Sequence, residues 1–363
     1  MRAPVLFRAG EPLQVLDIEL EPPRTDEVTV RLAASGVCHT CLHVMDGSLT
    51  GIKLPAVLGD EGAGVVTQIG PGVQGVAVGD HVIISWAPAC GRCRQCANGR
   101  PALCEARPPQ GRLADGTVRM HRGGQDIYHF GPAAYASEMV LPSSCVVPIR
   151  KDMPLELAAL IGCSVTTGVG AVTRTARVPA GAAVAVFGCG GIGLNVVQGA
   201  RLSGAQPIIA VDVSQTKLET AGLFGATHLV DATREDPAAA ILRAHPAGID
   251  YAFVTIGRQD TMDAAWSSLS PAGACVVLGR MATGARMEID PERLYGRENR
   301  LLGSRYGSAR PVEDFSIMVE LYLAGKLMLE ELVTRRYALD EVQEAHRALA
   351  AGELARGLIV HAA

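Results

Sequence analysis

The chain has no basic excess. Its 363 residues include 33 Lys plus Arg against 37 Asp plus Glu, a formal net charge of −4. A protein that neutralises a row of phosphates needs surplus cations, so nucleic acid is not expected as a partner. An export leader is also not expected. The opening stretch MRAPVLFRAGEP turns polar before any long apolar core develops. Ten cysteines without an export signal suggest a reducing, cytoplasmic compartment. There is no internal repeat and no low-complexity linker. One stretch, 178–200, lacks charge and is long enough to span a bilayer. Gly188, Gly190, Gly191 and Gly193 interrupt it, and its first half is rich in β-formers. A strand, a turn and a helix explain it better, so no membrane partner is expected.

At 363 residues the chain is too long for one ordinary core, and two domains are expected. Hydrophobic residues make up 48% and charged residues 19%, which fits a compact globular protein. Up to about residue 150 the pattern is all-β. Short strands are expected at 27–32 (EVTVRL), 64–69 (GVVTQI) and 81–84 (HVII), with turns at Gly70-Pro71-Gly72 and Gly79-Asp80. From about residue 155 apolar strands alternate with helices: strand 183–187, helix 192–202, strand 208–212, helix 216–223. That is the rhythm of a parallel sheet. Further strands are expected at 249–254 and 274–278, amphipathic helices at 312–324 and 339–350, and a closing strand at 358–361. A β-rich part, a wound α/β part and a short return suggest one domain inserted into another.

Four cysteines, Cys90, Cys93, Cys96 and Cys104, are spaced C-x2-C-x2-C-x7-C in CGRCRQCANGRPALC. Four thiolates this close can enclose one Zn²⁺ tetrahedrally with no open position, the pattern of a structural site. An iron–sulfur cluster is the nearest rival, but the bacterial ferredoxin run has a gap of three and a proline before its fourth cysteine. Unrelated thiols or two disulfides are the plainer readings. A closed zinc lobe does no chemistry, so the catalytic apparatus is expected elsewhere.

The segment AVAVF runs directly into Gly188-Cys189-Gly190-Gly191-Ile192-Gly193, a G-x-G-x-x-G with a strand before it and a helix after it. The first glycine makes the tight turn. The second lets the backbone approach a pyrophosphate, and the third allows close helix–strand packing. Free N–H groups at the helix start bind phosphate oxygens. The next strand ends in Asp212, 212 − 193 = 19 residues past the third glycine, where a carboxylate accepts from ribose hydroxyls. Val213 and Ser214 follow, with no arginine. An ionised Asp212 would repel a 2′-phosphate, which favours NAD over NADP.

Cys38 lies in GVCHTCLHVMDG, Asp60 and Glu61 in LGDEGAG, and Cys163 in LIGCSVTTG. With the four-cysteine lobe, the glycine turn, a PIYHF-like stretch at 126–130 and the ending GELARGLIV, these segments resemble the zinc-containing medium-chain alcohol dehydrogenases, near their class III-like bacterial branch. The resemblance covers essentially the full length. It implies an α/β fold: a doubly wound Rossmann sheet at 165–304 inserted into a β-rich, GroES-like catalytic domain formed by 1–164 and 305–363. It implies a catalytic zinc held by Cys38, the residue at position 60, and Cys163. Family members usually carry His at position 60 and an Asp at position 41 that orients it. This chain has Asp60 and Cys41.

The two departures make sense together. A carboxylate at position 41 would serve an imidazole by accepting its N–H, but would be a like charge beside a ligating Asp60. Decay of a disused metal site, with Cys38 and Cys163 as inert buried thiols, is the alternative. Two thiolates and a carboxylate around Zn²⁺ sum to −1 rather than zero, which makes the ion a weaker Lewis acid. Cys41 or Glu61 could also enter the shell.

The resemblance further implies that Thr40 Oγ accepts the substrate hydroxyl proton and that His43 carries it toward solvent, a task suited to a group titrating near neutrality. His39, Lys217 and Arg356 match positions that touch cofactor phosphates or ribose. Thr167 matches a residue packing on the nicotinamide. Trp86 matches an aromatic lining the substrate channel. Arg280 falls where the family has a small apolar residue, and its guanidinium could pair with an anionic substrate group. The expected reaction is NAD-linked interconversion of alcohols with aldehydes or ketones by a homodimer or homotetramer. A zinc-poor reductase of activated C=C or C=N bonds is the alternative enzyme, and a nicotinamide-binding protein without turnover is a third class.

Overall fold

The computed structural model describes residues 1–279 and 283–361. The chain packs as two units, Met1–Cys163 with Arg310–Ala363, and Ser164–Ala309.

The first unit is built on strands whose alternation buries one face. A seven-stranded sheet has Glu27–Gly36 near its middle, flanked by Gly62–Ile69 and by the C-terminal strand Arg356–Val360. Gly62–Ile69 continues to His81–Ile84 and Val146–Ile149, while Arg356–Val360 continues to Val333–Ala338. Glu138–Pro142 also pairs with Glu27–Gly36. The C-terminal strand thus enters a sheet begun some 300 residues earlier, which brings Arg356 beside the N-terminal half of the unit. A second sheet of six strands includes Arg2–Leu6, the two-residue strand Ala56–Val57 and Gln125–His129. Val28, Val30, Leu32, Val66, Val82 and Ile84 are fully or almost fully buried between these layers. Each such side chain contributes about 1.5–3 kcal/mol by leaving water.

Two helices of this unit lie near Cys38. His39–Met45 starts at Cys38, whose sulfur accepts the Thr40 N–H and so caps the helix. It packs against Val342–Ala350. That helix buries Val342, Ala345, His346 and Leu349, the i, i+3, i+4, i+7 stripe of an amphipathic helix.

The second unit is a six-stranded parallel sheet in the order His228–Asp231, Ile208–Asp212, Val184–Phe187, Ile249–Val254, Leu269–Val277, Arg300–Gly303. Numbered along the chain within this unit, the order is 3-2-1-4-5-6, that of a doubly wound dinucleotide fold. Val184–Phe187 and Ile208–Asp212 are buried at every residue. Continuous apolar runs are what a sheet covered by helices on both faces requires. The expected strands and helices lie within a few residues of the observed ones. The largest shift is at 274–278, where the strand begins earlier, at Leu269. The uncharged stretch 178–200 is a strand followed by the helix Gly191–Leu202. Among the described residues one helix, Leu155–Ala176, is long and apolar enough to cross a membrane, and 89% of its apolar window is buried within the protein.

Candidate metal centres and dinucleotide site

The four lobe cysteines converge. Their sulfurs lie within 4.8 Å of one another, and Cys93 Sγ is 3.9 Å from Cys104 Sγ. Zn–S bonds of about 2.3 Å in a tetrahedron place sulfurs roughly 3.8 Å apart, so the group has the dimensions of a zinc site. Backbone N–H groups are aimed at the sulfurs: Cys90 N donates to Cys104 Sγ at 3.4 Å, Cys93 N to Cys90 Sγ at 3.3 Å, and Glu105 N to Cys93 Sγ at 3.5 Å. Such donors stabilise thiolates, and those from Glu105 and Cys96 bring the Cys93 thiol down to about 6. All four are free cysteines, which removes the two-disulfide reading.

A second group holds Cys38, Asp60 and Cys163, again with ligand atoms within 4.8 Å of one another and all three residues buried. Cys163 Sγ is 4.0 Å from Asp60 Oδ2. The Cys38 thiol is held well below its ordinary range, chiefly by its hydrogen bond with Cys163, and also by the charge of Arg356 and the Thr40 N–H. Asp60 is pushed the other way. Burial raises its carboxyl well above the usual range, and the charges of Cys38 and Glu61 add to this. Its Oδ1 is buried with no hydrogen-bond partner among the described residues. A buried carboxylate with an orphaned oxygen beside two cysteine sulfurs is a donor set short of one cation. Zn²⁺ accepts both atom types, so the residues present fit the ion.

Glu61 is a correction to the sequence reading. It does not join this group of ligand atoms. Its carboxylate faces Arg356, with Nε to Oε1 at 2.8 Å and Nη2 to Oε2 at 2.5 Å, and both side chains are buried. One hydrogen bond from Nε and the close charge at Nη2, which itself lacks hydrogen-bond geometry, occupy the Glu61 carboxylate. Gly36 makes room for it, because a Cβ there would sit 1.6 Å from Glu61 Oε1. Cys41 is fully buried beside the group and also stands outside it.

Thr40 and His43 are three residues apart on one side of the helix His39–Met45. His43 Nδ1 lies 2.9 Å from Ser48 Oγ and 3.8 Å from Asp46 Oδ2, and the side chain is 30% exposed. The ring is therefore oriented yet open to solvent. His39 is exposed on the same helix. Trp86 follows the strand His81–Ile84, and the Arg107 guanidinium lies 5.9 Å from its ring centroid. Ser48, Arg107 and Tyr135 were not singled out from the sequence. Their partners are a turn, a loop or most of a domain away, and no spacing signals them. Arg280 lies outside the described residues.

In the second unit the glycine turn is built as its motif suggests. Gly188 has φ +97, in the left-handed region that favours glycine. A Cβ on Gly193 would sit 1.8 Å from Gly188 O. At Gly190 a Cβ would meet nothing within 4 Å, so the missing side chain leaves open space beside the backbone. No side chain caps the helix Gly191–Leu202, which leaves the N–H groups of Ile192 and its neighbours without a side-chain cap. An open cradle beside uncapped N–H groups fits a pyrophosphate. Asp212 is buried at the end of its strand and accepts three backbone N–H bonds, from Cys189 at 2.7 Å, Val213 at 2.8 Å and Ser214 at 3.0 Å. Its carboxylate thus also pins the glycine turn, a role the motif alone does not suggest. Lys217 lies close enough for its charge to act on the Cys189 thiol. Thr167 is buried in the helix Thr166–Gly170.

Comparison with known proteins agrees with this construction. Residues 24–151 match the alcohol dehydrogenase GroES-like domain, and residues 191–324 match the zinc-binding dehydrogenase family. The chain is 37% identical to an alcohol dehydrogenase class-3 of Cereibacter sphaeroides, over 99% of each chain. It is 38% identical to an NDMA-dependent alcohol dehydrogenase of Amycolatopsis methanolica, over 100% of this chain and 99% of that one. The crystal structure of benzyl alcohol dehydrogenase from Acinetobacter calcoaceticus superposes with a TM-score of 0.94 at 32% identity, covering 99% of each chain.

Proposed function

The chain belongs to the zinc-dependent medium-chain alcohol dehydrogenases, and from that premise we propose that it interconverts alcohols with aldehydes or ketones using NAD and a catalytic zinc held by Cys38, Asp60 and Cys163. The observation that carries the reading is the convergence of those three buried ligand atoms. When bound, zinc supplies Lewis acidity at the substrate oxygen and the nicotinamide takes or returns hydride.

The chain's own residues do the rest. Thr40 Oγ orients the substrate hydroxyl and takes its proton. His43 passes the proton to solvent, and Ser48 at 2.9 Å fixes the ring that does so. Trp86 narrows the substrate channel. Gly190, Gly191 and the helix start hold the pyrophosphate, with His39, Lys217 and Arg356 contributing charge around the cofactor. Asp212 holds the adenosine ribose and disfavours a 2′-phosphate. Residues 1–164 with 305–363 form the catalytic domain, and 165–304 the cofactor domain. We assign the enzyme to the cytoplasm as a homodimer or homotetramer, taking a small alcohol or carbonyl compound as substrate.

The test is metal analysis of the purified protein together with an alcohol and aldehyde screen run with NAD and NADP. Two zinc ions per chain and NAD-linked alcohol oxidation are expected. One zinc per chain, with turnover confined to activated C=C or C=N bonds, would replace this reading with the zinc-poor reductase.

A further inference from the structure

Cys38 and Asp60 reach one point from two separate segments, the start of the helix His39–Met45 and the stretch after the short strand Ala56–Val57. Tyr135 touches both. Its backbone N–H donates to Leu58 O at 3.1 Å, and the neighbouring Ala134 N–H donates to Gly59 O at 3.1 Å. Gly59 lies so near that a Cβ there would sit 2.6 Å from Tyr135 N. The side chain reaches the other segment. Tyr135 Oη accepts the Cys38 N–H at 3.4 Å. Tyr135 therefore joins Cys38, through its hydroxyl, to the Leu58–Gly59 backbone that leads into Asp60, through its own N–H. Tyr135 is fully buried, so water does not replace a broken link. The His346 ring packs against the tyrosine at 5.4 Å.

We propose that Tyr135 is a positioning residue of the metal centre: its hydroxyl on the Cys38 N–H and its backbone N–H on Leu58 O hold two ligand-bearing segments at the separation that lets Cys38, Asp60 and Cys163 take one ion. The proposal rests on the reading of that group as a metal centre. Metal–ligand distances tolerate only about 0.2 Å, and removing partners that orient ligands typically costs about 10–100-fold in metal affinity.

The experiment compares the full-length wild type with Tyr135→Phe. Zinc per chain, the zinc dissociation constant of the weaker site by chelator competition, the visible spectrum of the Co²⁺-substituted protein and the melting temperature are recorded. Tyr135→Phe keeps the ring, and it should retain the lobe zinc while losing about 10–100-fold in affinity at the second site with altered cobalt–thiolate bands. Unchanged affinity and cobalt bands in Tyr135→Phe, whatever its melting temperature, overturn the positioning role alone. Should Tyr135→Phe not fold, hydrogen exchange at the Cys38 amide of the wild type decides: slow exchange supports the link to Tyr135, and exchange as fast as an exposed amide overturns it. A wild type with one metal per chain overturns the metal-centre reading and this proposal with it.

Discussion

Arg356 and Glu61 form a buried ion pair, Nε donating to Oε1 at 2.8 Å and Nη2 lying 2.5 Å from Oε2, across 295 residues of sequence. Removing one member of such a pair leaves an uncompensated charge in the interior, which costs about 3–5 kcal/mol. Arg356→Met should destabilise the protein by that amount in denaturant unfolding. The double change Glu61→Gln with Arg356→Met should recover much of the loss. A single variant within about 1 kcal/mol of wild type would contradict the pair's structural role.

Cys93→Ser should remove one zinc per chain from the lobe. Closed four-thiolate sites contribute folding free energy directly, so the lobe should lose protease resistance. The Cys38–Asp60–Cys163 group should keep its metal in molecules that remain folded. Elemental analysis reads the result, and an undiminished zinc content in a folded variant would refute the lobe assignment.

Asp212→Ala removes the carboxylate that repels a 2′-phosphate and also the acceptor of the Cys189 N–H. The ratio of kcat/KM with NADP to that with NAD should rise at least about tenfold, because one lost charge repulsion of about 1.4 kcal/mol corresponds to a factor of ten. Loosening of the glycine turn should lower the absolute rate with both cofactors. A wild type that already prefers NADP would show the assignment to be wrong.

The Asp60–Cys41 combination is open to exchange. Asp60→Ala should lose the second zinc and most activity. Asp60→His alone should bind zinc with an imidazole that lacks an acceptor for its second N–H. Adding Cys41→Asp supplies that acceptor and restores a neutral shell. The double variant should turn over simple alcohols faster than either single change allows, with a clear non-additive term. Additive kinetics would argue that positions 41 and 60 do not act together.

His346 sits on the apolar stripe of its helix, with neither ring nitrogen hydrogen-bonded among the described residues. Burial holds its imidazole down to about 4 from an ordinary 6.5, opposed by the charge of Cys38 and aided by that of His39. Burial also brings His361 to about 4. Between pH 6.5 and 4 the unfolded chain binds protons that the folded chain refuses. The contribution is therefore complete above 6.5 and lost as pH falls toward 4. His346→Phe should flatten the stability–pH curve, gaining about 2 kcal/mol on the wild type at pH 5 relative to pH 8. Parallel curves for the two proteins would refute it.

The parts legible in the sequence are those whose physics is local. The lobe is announced by four cysteines within fifteen residues, and the dinucleotide turn by glycines between a strand and a helix. The departure from the family pattern is visible because Asp60 and Cys41 stand inside recognisable segments. The illegible parts are long-range pairings. Nothing near Glu61 in sequence shows that Arg356 will take its carboxylate, and nothing near Cys38 shows that Tyr135 will reach its N–H. The backbone bonds to Asp212 escape the motif for a different reason. They depend on how deeply the strand end sits under the glycine turn, which residue identities alone do not specify.

Gly36 has an implication for how this chain can drift. The volume in which its β-carbon would lie is filled by the Glu61 carboxylate, which is itself fastened to Arg356. No larger residue can enter position 36 while that carboxylate stays, and the carboxylate cannot leave while the arginine is buried. Positions 36, 61 and 356 are thus bound to one another in evolutionary terms. Descendants that abandon the glycine should be those that have first abandoned the acid and the base together.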